Sequence, residues 1–158
     1  MYKKSFKVAL AVVLSISVGK LLNIESPFYA AIASVITIGT GFGDSLESAK
    51  NRMVGTFIGA IIGIIFATLD QGNIILCGIG IFITVLVCQR FNCSKSINIA
   101  CIVFIAIMVN LYDYVTPFYY SIYRLADTLL GVTISTLINY VLFIHRGLKT
   151  DSDISLKG

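Results

Sequence analysis

The sequence predicts an all-α integral membrane protein with six transmembrane helices, arranged as two inverted three-helix repeats. Hydrophobic residues make up 57% of the 158-residue chain and charged residues only 13%, whereas an average soluble domain is roughly 25% charged. The mean hydropathy is +0.91. Several long apolar runs follow one another along the chain, and one short motif occurs once in each half. Composition therefore predicts the membrane setting, and the motif predicts the repeat.

Six apolar runs are the candidate spans. A helix needs roughly 20 residues to cross a 30 Å hydrocarbon core, so the second and fifth runs, of about 15 and 16 residues, are short. The third helix is expected to begin ahead of its run, because Asp44-Ser45-Leu46-Glu47 resembles a capping box. The runs cover residues 6–22, 27–41, 52–69, 73–89, 97–112 and 121–144.

The runs are separated by recognisable helix breakers. The first follows Lys3 and Lys4 and has no small-residue cleavage site, so we interpret it as a retained span. The sequence Gly-Thr-Gly-Phe-Gly at 39–43 ends the second run, and Asp-Gln-Gly-Asn at 70–73 separates the third from the fourth. Thr116-Pro117 precedes the sixth. Residues 1–145 are thus the predicted transmembrane domain, and 146–158 a short tail.

The distribution of Lys and Arg predicts that both termini are cytoplasmic. With six spans, one side of the membrane holds ten of the twelve Lys and Arg residues, and the other side holds only Lys20 and Arg124. Positive charge collects on the cytoplasmic side, so we expect a multi-pass protein of the cell membrane. The basic residues form no stripe on one face, which argues against nucleic acid as a partner and favours the lipid bilayer.

The doubled motif is Arg-x-x-x-Thr-x-x-Gly, found at residues 52–59 and again at 124–131, an offset of 72. Each copy lies in the third span of its half, and an odd number of spans turns the second copy upside down. Inverted repeats are a recurring construction of membrane transporters. The repeats are predicted at about 5–69 and 73–144, with Arg52 on the inner side and Arg124 on the outer side.

A stripe of residues spaced by four follows each copy of the motif. The first stripe is small and permits close helix packing, although a dimer seam or a permeation face would use the same residues. The second stripe is mostly polar and is the better candidate for a pathway. The first consists of Gly55, Gly59 and Gly63, and the second of Asp127, Gly131, Ser135 and Asn139.

The charged residues of the two motifs are the candidates for binding. The planar guanidinium groups of Arg52 and Arg124 match a carboxylate, or else they snorkel to headgroups and set topology. Asp127 lies one turn after Arg124, where it forms an ion pair or acts as a buried functional acid. No catalytic set and no metal-ligand cluster is visible, so neither an enzyme nor a cofactor is predicted.

These residues resemble a known family. Pro-Phe-Tyr-Ala-Ala-Ile-Ala-Ser at 27–34, Gly-Asp-Ser at 43–45 and Asn-Arg-Met-Val-Gly-Thr-Phe-Ile-Gly-Ala at 51–60 are similar to the membrane domain of the aromatic acid exporter family. This FUSC-like group is related to fusaric acid resistance proteins and to plant aluminium-activated malate transporters. Many members carry a cytosolic domain after the last span, for which this sequence leaves no room.

The resemblance implies a six-helix domain, commonly dimeric, that exports or conducts small organic anions such as aromatic carboxylates. The family's signature positions carry over to both motifs and include two threonines as pathway candidates. These positions are Arg52, Gly55, Thr56, Gly59, Arg124, Asp127, Thr128 and Gly131.

Two hypotheses remain open from the sequence. The first is a homo-oligomeric exporter of small organic anions, with a polar path bounded by Arg124, Asp127 and Asn139. The second is a non-transporting membrane scaffold or accessory subunit. Occlusion of the glycine stripe and of Asp127 by neighbouring helices would favour the second.

Overall fold

The computed structural model describes residues 2–24, 27–39, 42–109 and 116–155, and all secondary structure in these residues is helical. This confirms the all-α fold class for the described part of the chain. A 3₁₀ turn at Ser94–Ser96 runs directly into the fifth helix. The α-helices are α1 (Tyr2–Leu21), α2 (Phe28–Thr37), α3 (Phe42–Asp70), α4 (Ile74–Arg90), α5 (Ile97–Met108) and α6 (Pro117–Ser155).

Helices α3 and α6 are longer than their apolar runs. Helix α3 begins at Phe42, so Asp44 lies inside its first turn rather than at a capping position. The expectation of an early start is confirmed, but the capping-box interpretation is wrong. A carboxylate within the first turn still suits the positive end of the helix dipole. Helix α6 continues to Ser155, through most of the predicted tail.

Helices α2 and α5 are short, at 10 and 12 residues, or about 15 and 18 Å at the rise of an α-helix. Both end earlier than their apolar runs, whose predicted ends at residues 41 and 112 lie outside the described residues. The last carbonyls of α5 bond to the turn between α3 and α4. Gly72 N donates to Met108 O at 3.0 Å, and Gln71 Nε2 donates to Ile107 O at 3.2 Å.

One helix among the described residues, α3, is both long and apolar enough to cross a membrane. Three further helices are apolar but shorter, at Phe28–Thr37, Ile74–Arg90 and Ser94–Met108. Helix length and composition alone therefore support one span directly.

The chain divides into two compact units, and both α3 and α6 contribute a segment to each. The first unit comprises Met1–Ala49 and Leu130–Gly158. In it, α1 packs against α2, and a small core forms around Ala11, Ile38 and Ile138.

The second unit is Lys50–Leu129, and its core is centred on Phe104 of α5. The ring of Phe104 stands edge-on to that of Phe66, with centroids 5.8 Å apart, and it also faces Gly80. Helix α4 packs against α5 and begins at a side-chain cap, because Asn73 Oδ1 accepts hydrogen bonds from two backbone N–H groups of the first turn. The ring of Phe104 against Gly80 joins α5 to α4, and the cap fixes where α4 begins.

Candidate functional site

The glycine stripe of α3 lies directly against α5 in the second unit. A methyl group added to Gly55 would lie 2.7 Å from Ser96 O, and one added to Gly63 would lie 2.8 Å from Ile107 Cδ1. At Gly59 the neighbour is the carbonyl oxygen of Ala100, which an added methyl group would overlap. Only glycine permits this approach, so the stripe is a surface for helix packing within the chain.

Two residues of the α6 stripe, Gly131 and Ser135, lie against α2 in the first unit. A methyl group on Gly131 would overlap the carbonyl oxygen of Ala30. One turn later, Ser135 Oγ donates to Ser34 O at 2.8 Å. A glycine again provides close approach, and a buried hydroxyl adds a hydrogen bond between the helices.

The two motif threonines meet in the second unit. Thr56 Oγ1 and Thr128 Oγ1 are 3.4 Å apart, and both side chains are buried. Thr128 Oγ1 also donates to Arg124 O at 2.8 Å, one turn back on its own helix. The structure thus brings together Thr56 and Thr128, which the sequence placed at the same position of the two motifs.

Arg124 is buried and is held by the residue one turn before it. Its Nη2 donates to the hydroxyl of Tyr120, and its guanidinium carbon lies 4.3 Å from the centroid of that ring. Sequence analysis did not identify Tyr120, although the i,i+4 spacing is the signal that finds it. Asp127 is also buried, at 5% exposed, and its Oδ1 has no hydrogen-bond partner among the residues that the structure describes. A carboxylate oxygen in this state is costly.

Arg52 is buried as well, with 7% of its surface exposed. Its Nε has no hydrogen-bond partner in the described part of the chain. The two motif arginines therefore differ in their surroundings, since Tyr120 holds Arg124 through both a hydrogen bond and its ring.

Asn139 belongs to a buried polar network in the first unit. Lys7 Nζ donates to Asn139 Oδ1 at 2.5 Å, and Asn139 Nδ2 donates to Ser45 Oγ at 2.7 Å and to Gly39 O at 3.3 Å. Gly39 N donates to Ser45 Oγ at 2.7 Å. The network satisfies the backbone just beyond the end of α2. Sequence analysis assigned Lys7 to topology only, but its position inside the first apolar run was a signal of burial.

The polar stripe of α6 is divided between the two units. Asp127 lies in the second unit with Arg124, whereas Ser135 and Asn139 lie in the first. The described residues contain no cluster of three or more potential metal ligands, and the four cysteines are free thiols. The candidate sites consist of buried polar side chains, such as Asp127 and Asn139, on largely apolar helices. Membrane proteins that move polar solutes often have this arrangement.

Comparison with known proteins assigns the family. Residues 1–142 match the model of aromatic acid exporter family member 1, and the chain belongs to this family. The match confirms the resemblance and implies a membrane protein of an exporter family. No solved structure matches the chain significantly.

Curated relatives have uninformative names. The chain is 28% identical over 140 residues to the UPF0421 protein BH2644 of Halalkalibacterium halodurans, covering 89% of this chain and 39% of that protein. It is 27% identical over 138 residues to a UPF0421 protein of Bacillus cereus, covering 87% of this chain and 38% of the relative. The chain therefore spans about two fifths of the length of these relatives.

Proposed function

We propose that this chain is the membrane domain of an exporter of small organic anions, with aromatic carboxylates as the favoured class. The observation that carries the proposal is the pair of short apolar helices, α2 and α5. Non-helical backbone follows α2 at Gly39, which is bonded to Ser45 and Asn139, and the last carbonyls of α5 are bonded to the turn at residues 71–72. Such backbone is tolerated at membrane depth only inside protein or along a cavity, and paired short helices mark the binding region of many transporters.

The inverted repeat is part of this proposal, with copies at about 5–69 and 73–144. Equivalent positions make equivalent contacts within each unit, since Gly59 meets Ala100 in one and Gly131 meets Ala30 in the other. Gly59 and Gly131 are 72 residues apart, and Ala100 and Ala30 are 70 apart. The contact of Thr56 with Thr128 joins two residues that the repeat pairs with each other. These matches support a repeat in three dimensions.

The proposed topology has six spans, both termini in the cytoplasm and a location in the cell membrane. Residue numbers increase in the same direction along the contact of α3 with α5, from Gly55 with Ser96 to Gly63 with Ile107. These two helices therefore run parallel. Residue numbers also increase in the same direction along α6 and α2, from Gly131 with Ala30 to Ser135 with Ser34. Parallel odd-numbered helices and parallel even-numbered helices are what an alternating topology requires. A homo-oligomer remains part of the proposal, as the family resemblance implies.

The proposed pathway residues of the second unit are Arg124, Asp127 and Thr128, and Asn139 is a separate candidate in the first unit. An ionisable side chain within a span costs about 2.5–3.5 kcal/mol on insertion scales and usually serves a function. Asp127 fits this rule because it is buried while its Oδ1 lacks a hydrogen-bond partner in the described ranges of the chain. An oxygen in that state is available to water, a proton or a polar solute when the helices move apart.

Purified protein in proteoliposomes provides the test, with radiolabelled benzoate as the transported anion. We expect wild-type flux well above that of empty vesicles, and at least a tenfold reduction in Arg124→Ala, since a charged hydrogen bond contributes about 1.5–3 kcal/mol. Lys20→Met is the matched control, because Lys20 is exposed and is the other cation predicted on the outer side. Wild-type flux no greater than that of empty vesicles would refute the proposal.

A non-transporting scaffold is the second candidate function, and specific contacts favour it. The glycine stripe is closed against α5, and Asp127 is 95% buried, which is the occlusion that the sequence analysis associated with a scaffold. An exporter in an occluded state has the same features. A folded, lipid-embedded protein that carries no benzoate in either direction would decide for the scaffold.

A further inference from the structure

Arg52 carries a buried positive charge in the second unit. Its side chain is 93% buried and its Nε has no hydrogen-bond partner in the residues that the structure describes. A buried ion normally has a partner, because desolvation costs several kcal/mol. Arg124, at the same position of the other motif, donates to Tyr120 and lies over its ring. An anionic ligand would supply the missing hydrogen-bond partner of Arg52 Nε.

The contacts of α3 place Arg52 beside the start of the short fifth helix. Gly55 lies against Ser96, and Gly59 and Gly63 follow along α5 in the same direction. Arg52 precedes Gly55 by about one turn, and so it lies at the level just before that helix begins. Side chains of an α-helix tilt toward its N-terminus, which directs the guanidinium further in front of the helix start.

The N-terminus at this point is not capped by a side chain. The helical segment begins with the 3₁₀ turn at Ser94–Ser96, and neither Cys93 nor Ser96 makes a side-chain capping hydrogen bond. The start of a helix carries unsatisfied N–H groups and about half a positive charge. An uncapped helix start next to a buried guanidinium is a setting for an oxyanion.

We propose that Arg52 and the N-terminus of the Ser94–Met108 helix bind the carboxylate of the exported anion on its way from the cytoplasm. The identity of the ligand as transported substrate rests on the proposed function, whereas the oxyanion site itself does not. The predicted topology puts this helix start on the cytoplasmic side, where an exporter collects its cargo. Arg52 is enclosed by protein while Lys50 and Arg90 are exposed, which favours a solute over a lipid headgroup.

Binding is measured on the full chain, independently of transport. Salicylate serves as a fluorescent carboxylate probe, because the chain contains no tryptophan to interfere. We expect Arg52→Met to weaken salicylate binding about tenfold to a hundredfold, from the loss of a charged, bidentate hydrogen bond. Arg90→Gln is the matched control, since it removes an exposed cation predicted on the same side, and its affinity should stay within about twofold of wild type.

A folding control accompanies the binding assay. Without ligand, Arg52→Met should unfold at a temperature equal to or above that of wild type, because it removes a buried charge without breaking a bond at Nε. Salicylate should raise the unfolding temperature of the wild type and leave that of Arg52→Met unchanged. Arg52→Lys should recover part of the binding, since it restores charge without the planar fork.

Three results separate the site from the proposed function. Equal salicylate affinity in Arg52→Met and wild type overturns the site, even if benzoate transport is observed. Binding that depends on Arg52, without flux into vesicles, supports the site and refutes export. In nanodiscs, if Arg52→Met changes the binding of phosphatidylglycerol and leaves salicylate binding unchanged, the site belongs to a lipid headgroup and the proposal fails.

Discussion

Gly59→Ala is expected to destabilise the protein by about 3 kcal/mol, the upper part of the range for overpacked cores. The added methyl group would overlap the carbonyl oxygen of Ala100, and this neighbour belongs to helix backbone rather than to a flexible side chain. Relief therefore requires α3 and α5 to separate along their shared seam. Thermal unfolding of the purified protein in detergent measures the loss.

The chain offers a matched control at Gly78, which is also helical. No atom lies within 4 Å of a methyl group added there. Gly78→Ala should therefore be neutral or stabilising by up to about 1 kcal/mol, from helix propensity alone. Gly131→Ala should destabilise as much as Gly59→Ala, because the two glycines make equivalent contacts. Equal stability of Gly59→Ala and Gly78→Ala would contradict the close contact of α3 with α5.

The doubled motif predicted more of this structure than the apolar runs did. Spacing by four places glycines on one helix face whatever the rest of the fold, and those glycines do lie in a helix contact. Thr56 and Thr128 occupy the same position of the two motifs, and the family resemblance named both as candidates. Their hydroxyl oxygens lie 3.4 Å apart. Gly59 and Gly131, at the same position of the two motifs, each lie against the carbonyl of an alanine.

Hydropathy could not predict where α2 and α5 end. The run of α2 continues past Thr37 into the glycine-rich breaker at 39–43, and the run of α5 continues past Met108, so hydropathy alone does not mark either end. The helices end where tertiary partners take over the backbone hydrogen bonds, as Gly72 does for Met108. These partners are distant in sequence, and a local pattern does not contain them. The capping-box interpretation of α3 was wrong for a different reason, because aspartate is equally suited to a helix cap and to a first turn.

The network around Asn139 was also beyond sequence reasoning. Lys7 and Asn139 are separated by 132 positions, and no spacing rule connects them. Asn139 was identified as a polar residue on an apolar helix, but its partner was assigned to membrane topology. The pairing follows only when α1 and α6 are seen in the same unit. Buried polar groups predict that partners exist, and the fold decides which ones.

Asn139→Leu is expected to cost about 3 kcal/mol of stability, the upper part of the range for a hydrogen bond to a charged group. The substitution keeps a similar volume but removes the acceptor for Lys7 Nζ and the donor to Ser45 Oγ. It also removes the bond to Gly39 O beyond the end of α2. The loss combines a broken charged hydrogen bond with polar groups left buried, and thermal unfolding in detergent measures it.

A double-mutant cycle separates the Lys7–Asn139 bond from the rest of the network. Lys7→Met alone should cost about 1–2 kcal/mol, and Lys7→Met with Asn139→Leu should cost less than the sum by about 1.5 kcal/mol. The double variant loses less stability than the sum of the single variants, because it no longer places the Lys7 ammonium opposite an apolar side chain. Lys20→Met, at the exposed end of the same helix, should change stability by no more than about 0.5 kcal/mol. Strict additivity of the two single effects would mean that the 2.5 Å contact does not stabilise the fold.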